Sequence, residues 1–253
     1  MTGLLYVVGL GPGPAEWLTP EAAAALAEAS AIVGYKPYVD RLPERGGQRR
    51  YASDNRVEIE RAQQALALAC SGETVAVVSG GDPGVFAMAA AVFEAVEAGE
   101  PQWRALDIRV LPGVSAMLAA AARLGAPLGH DFCAISLSDN LKPWEVVVRR
   151  LEAAAAGDFV IALYNPASKA RPQRIYETFE RLRALKAGET PVAFARAVGR
   201  ADERIVLTTL ARADVSVVDM STLVLIGSSE TRFIAREGGP PWMLTPRSYG
   251  AGR

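Results

Sequence analysis

Glycine, proline and small polar residues are concentrated in four short segments, each of which follows a run of apolar residues. We name them loop 1 (Gly9-Leu10-Gly11-Pro12-Gly13-Pro14), loop 2 (Ser79-Gly80-Gly81-Asp82-Pro83-Gly84), loop 3 (Pro112-Gly113-Val114-Ser115-Ala116) and loop 4 (Tyr164-Asn165-Pro166-Ala167-Ser168). Glycine lacks a Cβ and lets the backbone approach a ligand, while proline stiffens a turn. The four loops therefore predict one rigid pocket lined by backbone atoms.

For the polar side chains in and near these loops, a structural role is the alternative to a chemical one. Asp82 before Pro83 is typical of a helix N-terminus, with Asp as N-cap and Pro at the first helical position. Ser115 and Asn165 have the same alternative of helix capping. His130 is the only histidine, and a lone histidine is more often structural than catalytic.

A basic stretch contains Arg41, Arg45, Arg49 and Arg50. Such a run is most often a solvated face of the protein. The planar guanidinium also matches carboxylates, so a substrate with several carboxylates is the alternative.

Loop 1 also has features of a dinucleotide-binding fingerprint, but Pro14 stands where that motif has its third glycine. Pro12 and Pro14 lack the amide N–H groups that would bind a pyrophosphate. No acidic residue for a ribose follows the second apolar run, which ends at Gly34-Tyr35-Lys36. The sequence therefore disfavours a nicotinamide cofactor. It also lacks the glycine–lysine pair of a Walker loop and the final glycine of a serine-hydrolase elbow.

The elements that must position these loops alternate between short β-branched runs and longer alanine-rich stretches, which is typical of an α/β fold. Strands are predicted at 4–8, 31–33, 74–78 and 108–111, and then at 134–137, 159–163, 192–195, 204–208 and 222–226. Helices are predicted at 20–29, 57–69, 85–97, 144–155 and 171–185. Ligands of such sheets bind beyond the carboxyl ends of the strands, where the four loops lie.

Two domains are predicted, an N-terminal α/β domain at 1–118 with a mostly parallel sheet and a C-terminal α/β domain at 128–237 with a mixed sheet. The stretch Gly125–Gly129 has the composition of a linker. The strands at 192–195 and 204–208 are too close in sequence for a helical crossover, so we expect them to be antiparallel. Residues 238–253 are rich in glycine and proline and are predicted to be irregular.

Composition limits the classes of function. The 253 residues include 27 basic and 28 acidic side chains, for a net charge of -1, which argues against a nucleic-acid partner. Two cysteines and one histidine are too few for a structural zinc or iron–sulfur site, so we expect no metal. The N-terminus has no basic leader and the chain has no run of eighteen apolar residues, so we expect a cytoplasmic protein that does not bind membranes.

The sequence resembles the tetrapyrrole (class III) S-adenosylmethionine-dependent methyltransferases. Their Gly-x-Gly-Pro-Gly, Gly-Asp-Pro and Pro-Gly-x-Ser segments match residues 9–13, 81–83 and 112–115. The similarity extends over residues 3–235. Further stretches resemble the branch of this family that methylates a precorrin and contracts its ring in cobalamin biosynthesis. They are residues 33–40, 126–132, 135–139, 143–145 and 161–168.

The resemblance implies two α/β domains, a homodimer, a tetrapyrrole substrate and S-adenosyl-L-methionine as methyl donor, with S-adenosyl-L-homocysteine as the product. It implies that the cofactor lies in a cleft between the domains. Carried over residue by residue, the cofactor contacts fall on Pro12, Gly80, Gly81, Asp82, Val85, Ser115, Ala116, Tyr164 and Val198.

Contraction of the ring moves protons, so an acid or base is expected within about 3 Å of the substrate. The candidates are Tyr35, Lys36, His130, Asp139 and Asn165, and the candidates for substrate carboxylates are Arg41, Arg45 and Arg171. The uroporphyrinogen methyltransferases of the family carry an acidic residue where this chain has Tyr35, so their acid–base assignment does not transfer. A cobalt-containing substrate, another class III reaction, a non-catalytic binding module and an NAD-dependent oxidoreductase remain as alternatives.

Overall fold

The computed structural model describes residues 3–167 and 171–249, and the chain divides into two units, Met1–Ala116 and Met117–Arg253. Unit 1 contains a sheet of five parallel strands in the order β3-β2-β4-β1-β5. The strands are β1 (Leu4–Gly9), β2 (Ala31–Tyr35), β3 (Arg49–Ser53), β4 (Thr74–Ser79) and β5 (Asp107–Leu111). The central strands are continuous apolar runs because helices cover both faces of the sheet.

The helices of unit 1 are α1 (Pro20–Glu28), α2 (Lys36–Val39), α3 (Glu58–Cys70) and α4 (Met88–Ala98). Helix α1 begins where Thr19 Oγ1 accepts a hydrogen bond from the Ala22 amide at 3.1 Å, with Pro20 at the first helical position. Residues of α3 and α4, such as Leu66 and Val92, pack on one face of the sheet. Residues of α1, such as Leu26, pack on the other.

Unit 2 contains a mixed sheet in the order β10-β9-β11-β8-β7. Its strands are β7 (Phe132–Ser136), β8 (Val160–Tyr164), β9 (Pro191–Arg196), β10 (Arg204–Thr209) and β11 (Thr222–Ile226). Strands β7 and β8 are parallel, and the other pairs are antiparallel, including the predicted pair β9–β10. The predicted fold class, a mostly parallel first sheet and a mixed second sheet, is confirmed.

The longer helices of unit 2 are α6 (Trp144–Ala156) and α7 (Arg174–Leu185), and the helix α5 (Ala116–Leu124) spans the boundary between the units. The core of unit 2 lies under α6 and α7, where Leu151 and Phe179 are fully buried against the mixed sheet. None of the helices in the described part of the chain is long and apolar enough to cross a membrane.

A third, small sheet in the order β12-β13-β6 corrects two predictions. Its strands are β12 (Arg232–Ile234), β13 (Trp242–Leu244) and β6 (Gly125–Ala126). The predicted linker at 125–129 therefore begins with a strand, and the predicted irregular tail at 238–253 contains β13; residues 250–253 lie outside the described residues. The buried Thr245 hydroxyl donates to the Pro127 carbonyl at 2.6 Å and holds the two segments together.

Two predicted helices begin three residues later than the sequence indicates. Helix α4 starts at Met88 instead of Val85, because the chain at Phe86 has a left-handed conformation with φ of 52°. Helix α7 starts at Arg174 instead of Arg171. Asp82 and Pro83 therefore lie outside α4, and the interpretation of Asp82 as the N-cap of that helix is wrong. The Met88 amide instead donates to the Ser79 hydroxyl at 3.3 Å.

Candidate active site

Loops 1, 2 and 3 lie side by side at one edge of the unit 1 sheet. They follow β1, β4 and β5, which are neighbours in the sheet and parallel, so their carboxyl ends meet at the same edge. Loops 1 and 2 are joined by backbone hydrogen bonds: the Leu10 amide donates to the Ser79 carbonyl at 2.9 Å and the Gly11 amide to the Gly81 carbonyl at 3.1 Å. Three of the four loops that were predicted to line one pocket are thus neighbours in unit 1.

Glycine is required where the backbones of the three loops touch. A Cβ on Gly9 would lie 2.7 Å from the Gly113 nitrogen, and a Cβ on Gly113 would overlap the Gly81 carbonyl oxygen. Gly81 itself has a left-handed backbone with φ of 76°. Close contact leaves no room for side chains, so the surface at this junction is made of peptide groups.

Asp82 connects loop 2 to loop 3. One carboxylate oxygen accepts a hydrogen bond from the Gly84 amide at 2.8 Å, and the other accepts one from the Gly113 amide at 3.0 Å. Hydrogen bonds to an ionised acceptor are stronger than neutral ones. Asp82 therefore fixes the relative positions of the two loops, in addition to any contact with a ligand.

Tyr35 and Tyr38 lie beside loop 2 at the end of β2. Their rings pack edge to face with centroids 5.4 Å apart. The Tyr38 ring occupies the space beside Gly80, where a Cβ would lie 2.6 Å from the ring. Gly80 is thus required for this packing, and Tyr35 is half-buried.

Loop 4 follows β8 in unit 2. The Tyr164 hydroxyl accepts a hydrogen bond from the Met117 amide, near the start of α5, at 3.0 Å. Asn165 has a left-handed backbone with φ of 51°, and its side-chain amide donates to the Ser136 hydroxyl at 3.0 Å. Loop 4 is therefore anchored to α5 and to the end of β7; Ser168 lies outside the described residues.

Asp139 is held by two arginines beyond the end of β7. Arg174 binds it with Nη2 at 2.9 Å, and Arg171 Nε lies 3.3 Å from its other oxygen. Burial alone would raise the pKa of the Asp139 carboxyl, but the hydrogen bond from Arg174 and the charges of both arginines outweigh burial and lower it. Asp139 is thus an ionised partner in an ion-pair cluster.

A family model described as Tetrapyrrole (Corrin/Porphyrin) Methylases matches residues 4–214 of the chain. The chain belongs to the tetrapyrrole methylase family. A protein named precorrin-3B C(17)-methyltransferase from a Sinorhizobium species is 59% identical to it, over 98% of both chains. A probable cobalt-factor III C(17)-methyltransferase from Salmonella typhimurium is 42% identical, over 97% of this chain and 99% of that protein. The crystal structure of the methyltransferase CobJ superimposes with a TM-score of 0.92 at 52% identity, covering 96% of this chain and all of that one.

Three of the five acid–base candidates of this tetrapyrrole methylase lie in unit 2, at two opposite edges of its sheet. His130 precedes β7, whereas Asp139 follows β7 and Asn165 follows the parallel strand β8. Five strand residues separate the two edges by about 16 Å, at about 3.3 Å per residue. Within unit 2, His130 and Asn165 therefore lie at opposite edges of the sheet.

His130 has structural contacts at its own edge. Its Nδ1 accepts a hydrogen bond from the Asp131 amide at 2.8 Å, which leaves Nε2 to carry the proton of the neutral ring. The ring packs edge to face on Tyr249 with centroids 4.8 Å apart. The Tyr249 hydroxyl in turn donates to the Asp158 carboxylate at 2.7 Å. Nε2–H is consequently the proton donor that His130 presents.

The remaining predicted residues have the following positions. Pro12 and Val85 are half-buried, the latter in the turn after loop 2, and Ser115 is buried where loop 3 meets Ala116, the first residue of α5. Val198 is buried in the turn after β9, as its 5% exposure shows. The Lys36 ammonium is exposed and pairs with Asp40 at 2.8 Å.

The basic stretch of this tetrapyrrole methylase is largely exposed, as predicted, since only Arg50 of its four arginines is half-buried. Two of the arginines also bind backbone carbonyls, a role that sequence reasoning missed. The Arg41 guanidinium donates to the Leu10, Gly11 and Gly13 carbonyls of loop 1. Arg50 lies on β3, a strand that the sequence pattern did not predict, and donates to backbone carbonyls of residues 39, 42 and 43. The sequence alone does not distinguish an arginine that binds carbonyls from one that faces solvent.

Proposed function

We propose that this tetrapyrrole methylase transfers a methyl group from S-adenosyl-L-methionine to ring carbon 17 of precorrin-3B and contracts the macrocycle to precorrin-4, a step of cobalamin biosynthesis. The observation that carries the proposal is the 59% identity, over 98% of both chains, to a protein named precorrin-3B C(17)-methyltransferase. Similarity at that level extends through the loops and through the stretches that sequence analysis related to ring contraction.

The chemistry of loops 1 to 3 fits S-adenosyl-L-methionine. Pro12 and Pro14 have no amide donors, and the Leu10 and Gly11 amides already donate to loop 2. Loop 1 therefore offers few N–H groups to a pyrophosphate, and the negative charge of the Asp82 carboxylate would attract a cationic ligand. When bound, S-adenosyl-L-methionine supplies an electrophilic methyl carbon on a positively charged sulfur.

We assign cofactor binding in unit 1 to Pro12, Gly80, Gly81, Asp82, Val85, Ser115 and Ala116, and in unit 2 to Tyr164 and Val198. These residues would position the methyl donor for in-line transfer. Holding two reactants in line can contribute about 7–11 kcal/mol to lowering a barrier. The backbone at Gly81 is fixed by Asp82 and by its contacts with loops 1 and 3, so little movement is needed to present it to a ligand.

A basic cluster in unit 2, made of Lys142, Arg150 and Arg171, fits a substrate that carries several carboxylates. Lys142 is half-buried, and burial, followed by the charges of Arg150 and Arg171, lowers the pKa of its ammonium. Among the described residues, no carboxylate lies within ion-pair distance of Lys142. An open cavity of about 170 Å³ is lined by Arg171, Pro172, Gln173 and Arg174. We propose that this cluster binds a carboxylate of the tetrapyrrole.

We propose Tyr35 and His130 as the residues that move protons during ring contraction, because both are only half-buried and neither is paired with a carboxylate as closely as Lys36 is. Asp139 is ionised and ion-paired, and Lys36 is paired with Asp40, so these two are weaker candidates. Asn165 is suited to orientation by hydrogen bonds, since its amide does not titrate in this range.

The decisive experiment is to incubate the protein with precorrin-3B and S-adenosyl-L-methionine carrying a labelled methyl group, and to follow the products by mass spectrometry. One labelled methyl in a contracted product is expected. Binding of S-adenosyl-L-homocysteine without label transfer would instead indicate a non-catalytic binding module. Stabilisation by NAD and not by S-adenosyl-L-homocysteine in a thermal-shift assay would contradict the cofactor assignment.

The same assay with the cobalt-containing substrate tests the alternative that the 42% identical cobalt-factor III relative raises. We expect faster turnover of the metal-free substrate, because similarity to the precorrin-3B enzyme is higher. Preference for the cobalt form would reassign the substrate and leave the methyl donor unchanged.

We also propose a cytoplasmic homodimer that acts on a small tetrapyrrole and binds neither nucleic acid nor membranes. Exposed aromatic side chains support self-association: Phe86 and Phe93 of unit 1 are 52% and 49% exposed. Sedimentation analysis at micromolar concentration should give twice the mass of 26.8 kDa. A monomer at that concentration would contradict this assignment.

A further inference from the structure

Loop 1 lacks the donors to satisfy its own carbonyls. Pro12 and Pro14 have no N–H. The carbonyl of the glycine is therefore the only polar backbone group of the Gly11–Pro12 and Gly13–Pro14 peptide bonds. Those residues, Gly11 and Gly13, are buried, as is Leu10. A buried carbonyl without a donor is costly, so loop 1 depends on donors from elsewhere in the chain.

Arg41 supplies those donors. Its guanidinium donates to Gly13 at 2.8 Å, to Gly11 at 3.0 Å and to Leu10 at 3.3 Å. The first two are the carbonyls of the X–Pro bonds. The amides of Leu10 and Gly11 are used on the other side of the loop, toward loop 2. Loop 1 is therefore held from both sides, by loop 2 through its N–H groups and by Arg41 through its carbonyls.

The segment that carries Arg41 is held in the same way by a second arginine. Arg50 on β3 donates to the Leu42 carbonyl at 3.1 Å, to that of Pro43 and, at 3.5 Å, to that of Val39. Strand β3 is fixed in turn by its parallel pairing with β2. A continuous series of contacts thus runs from the sheet edge through Arg50 and Arg41 to loop 1.

We propose that Arg41 is a positioning residue for the methyl donor, which it serves by holding loop 1 in its binding conformation, and that Arg50 supports it. This inference rests on the proposed function, because it takes loop 1 as part of the cofactor site. Lysine cannot replace Arg41, since one ammonium cannot reach three carbonyls in the fork geometry of a guanidinium. The assignment replaces the sequence-based expectation that Arg41 binds a substrate carboxylate.

The test compares Arg41→Ala, Arg41→Lys and Arg50→Ala with the control Arg49→Ala. Arg49 is adjacent to Arg50, carries the same charge and pairs with Glu73 instead of with carbonyls. Calorimetry with S-adenosyl-L-homocysteine should give a Kd about tenfold higher for Arg41→Ala, a smaller increase for Arg41→Lys and Arg50→Ala, and no change for the control. The KM for the methyl donor should rise while the KM for the tetrapyrrole stays constant. Guanidinium ion at millimolar concentration should partly restore the affinity of Arg41→Ala.

Hydrogen exchange on the ligand-free protein separates this inference from the proposed function. The peptide containing the Leu10 and Gly11 amides should exchange faster in Arg41→Ala than in wild type or Arg49→Ala. Unchanged exchange, or faster exchange with unchanged affinity, would overturn the positioning role. If wild type itself does not bind S-adenosyl-L-homocysteine, the cofactor assignment fails, and the exchange result alone decides whether Arg41 holds loop 1.

Discussion

Replacing Asp82 with alanine should loosen loops 2 and 3 and weaken binding of the methyl donor. The carboxylate accepts two backbone hydrogen bonds, from the Gly84 amide at 2.8 Å and the Gly113 amide at 3.0 Å. Alanine removes both acceptors. The half-buried Gly113 N–H then has no carboxylate to bind, which adds a desolvation cost to the lost bond.

The free energy lost in Asp82→Ala can be estimated from these two contacts. A hydrogen bond to a charged group contributes about 1.5–3 kcal/mol when shielded from water. Gly84 is exposed, so we assign about 1 kcal/mol to its contact and about 2 kcal/mol to the contact with Gly113, for a total of about 3 kcal/mol. Since about 1.4 kcal/mol corresponds to a factor of ten, the upper limit is a Kd for S-adenosyl-L-homocysteine raised about 100-fold.

The contacts exist in the ligand-free structure, so the loss is divided between folding stability and affinity. Urea unfolding and calorimetry must therefore both be measured, and the two losses should sum to about 3 kcal/mol. Asp82→Asn keeps one acceptor oxygen and should lose about half as much. If Asp82→Ala changes both quantities by less than about 0.5 kcal/mol, which is the usual size of a neutral surface substitution, the bridging role of Asp82 is refuted.

The remaining predictions concern four other positions. Pro12→Asp should raise the Kd for S-adenosyl-L-homocysteine at least tenfold by calorimetry, because it places a flexible charged side chain in loop 1; an unchanged Kd would remove Pro12 from the site. Gly113→Ala should lower the free energy of unfolding by about 1–3 kcal/mol, since its Cβ overlaps the Gly81 carbonyl, and unaltered urea unfolding would contradict this contact. His130→Ala should reduce the yield of contracted product and leave calorimetric affinity for S-adenosyl-L-homocysteine intact; a full yield would make the histidine structural. The pKa of the Asp139 carboxyl is lowered in the folded protein, so the stability that this carboxylate contributes is fully present above its ordinary pKa of about 3.9 and is lost as the pH falls through the lower folded value. Asp139→Asn should therefore lower the free energy of unfolding near neutral pH and reduce its loss in acid, as measured by urea unfolding. Equal pH profiles would refute the ion-pair role.

Most elements of the fold could be predicted because burial gives them a clear pattern. Strands such as β1 and β11 are apolar runs covered on both faces, and α3 and α6 have apolar residues at helical spacing. Helix α5 was missed although Met117, Ala120 and Leu124 are buried at helical spacing, whereas the strands that were missed lack such a pattern. Strand β3 at the sheet edge begins with two arginines, and β13 is three residues long and follows Gly-Pro-Pro. Their formation depends on partners distant in sequence.

The candidate site was predictable to the extent that it consists of backbone. Gly9 and Gly113 mark contacts that exclude a Cβ, Gly81 has a left-handed backbone, and glycines at the ends of adjacent strands indicate such positions directly. Side-chain roles were harder to predict. Asp82 has the sequence context of a helix cap and instead bridges two loops, because the left-handed turn at Phe86 delays α4 until Met88.

Arginine shows why residue type alone does not determine function. Arg41, Arg50 and Arg171 could each be read as a carboxylate ligand, yet each donates to at least one backbone carbonyl. A chain with 16 prolines has 16 residues without an amide donor, several of them at its loops, and it must obtain donors from side chains. A guanidinium offers five N–H groups and is the most efficient source. Where a rigid loop is built from glycine and proline, a nearby arginine is therefore as much a part of its architecture as the loop sequence itself.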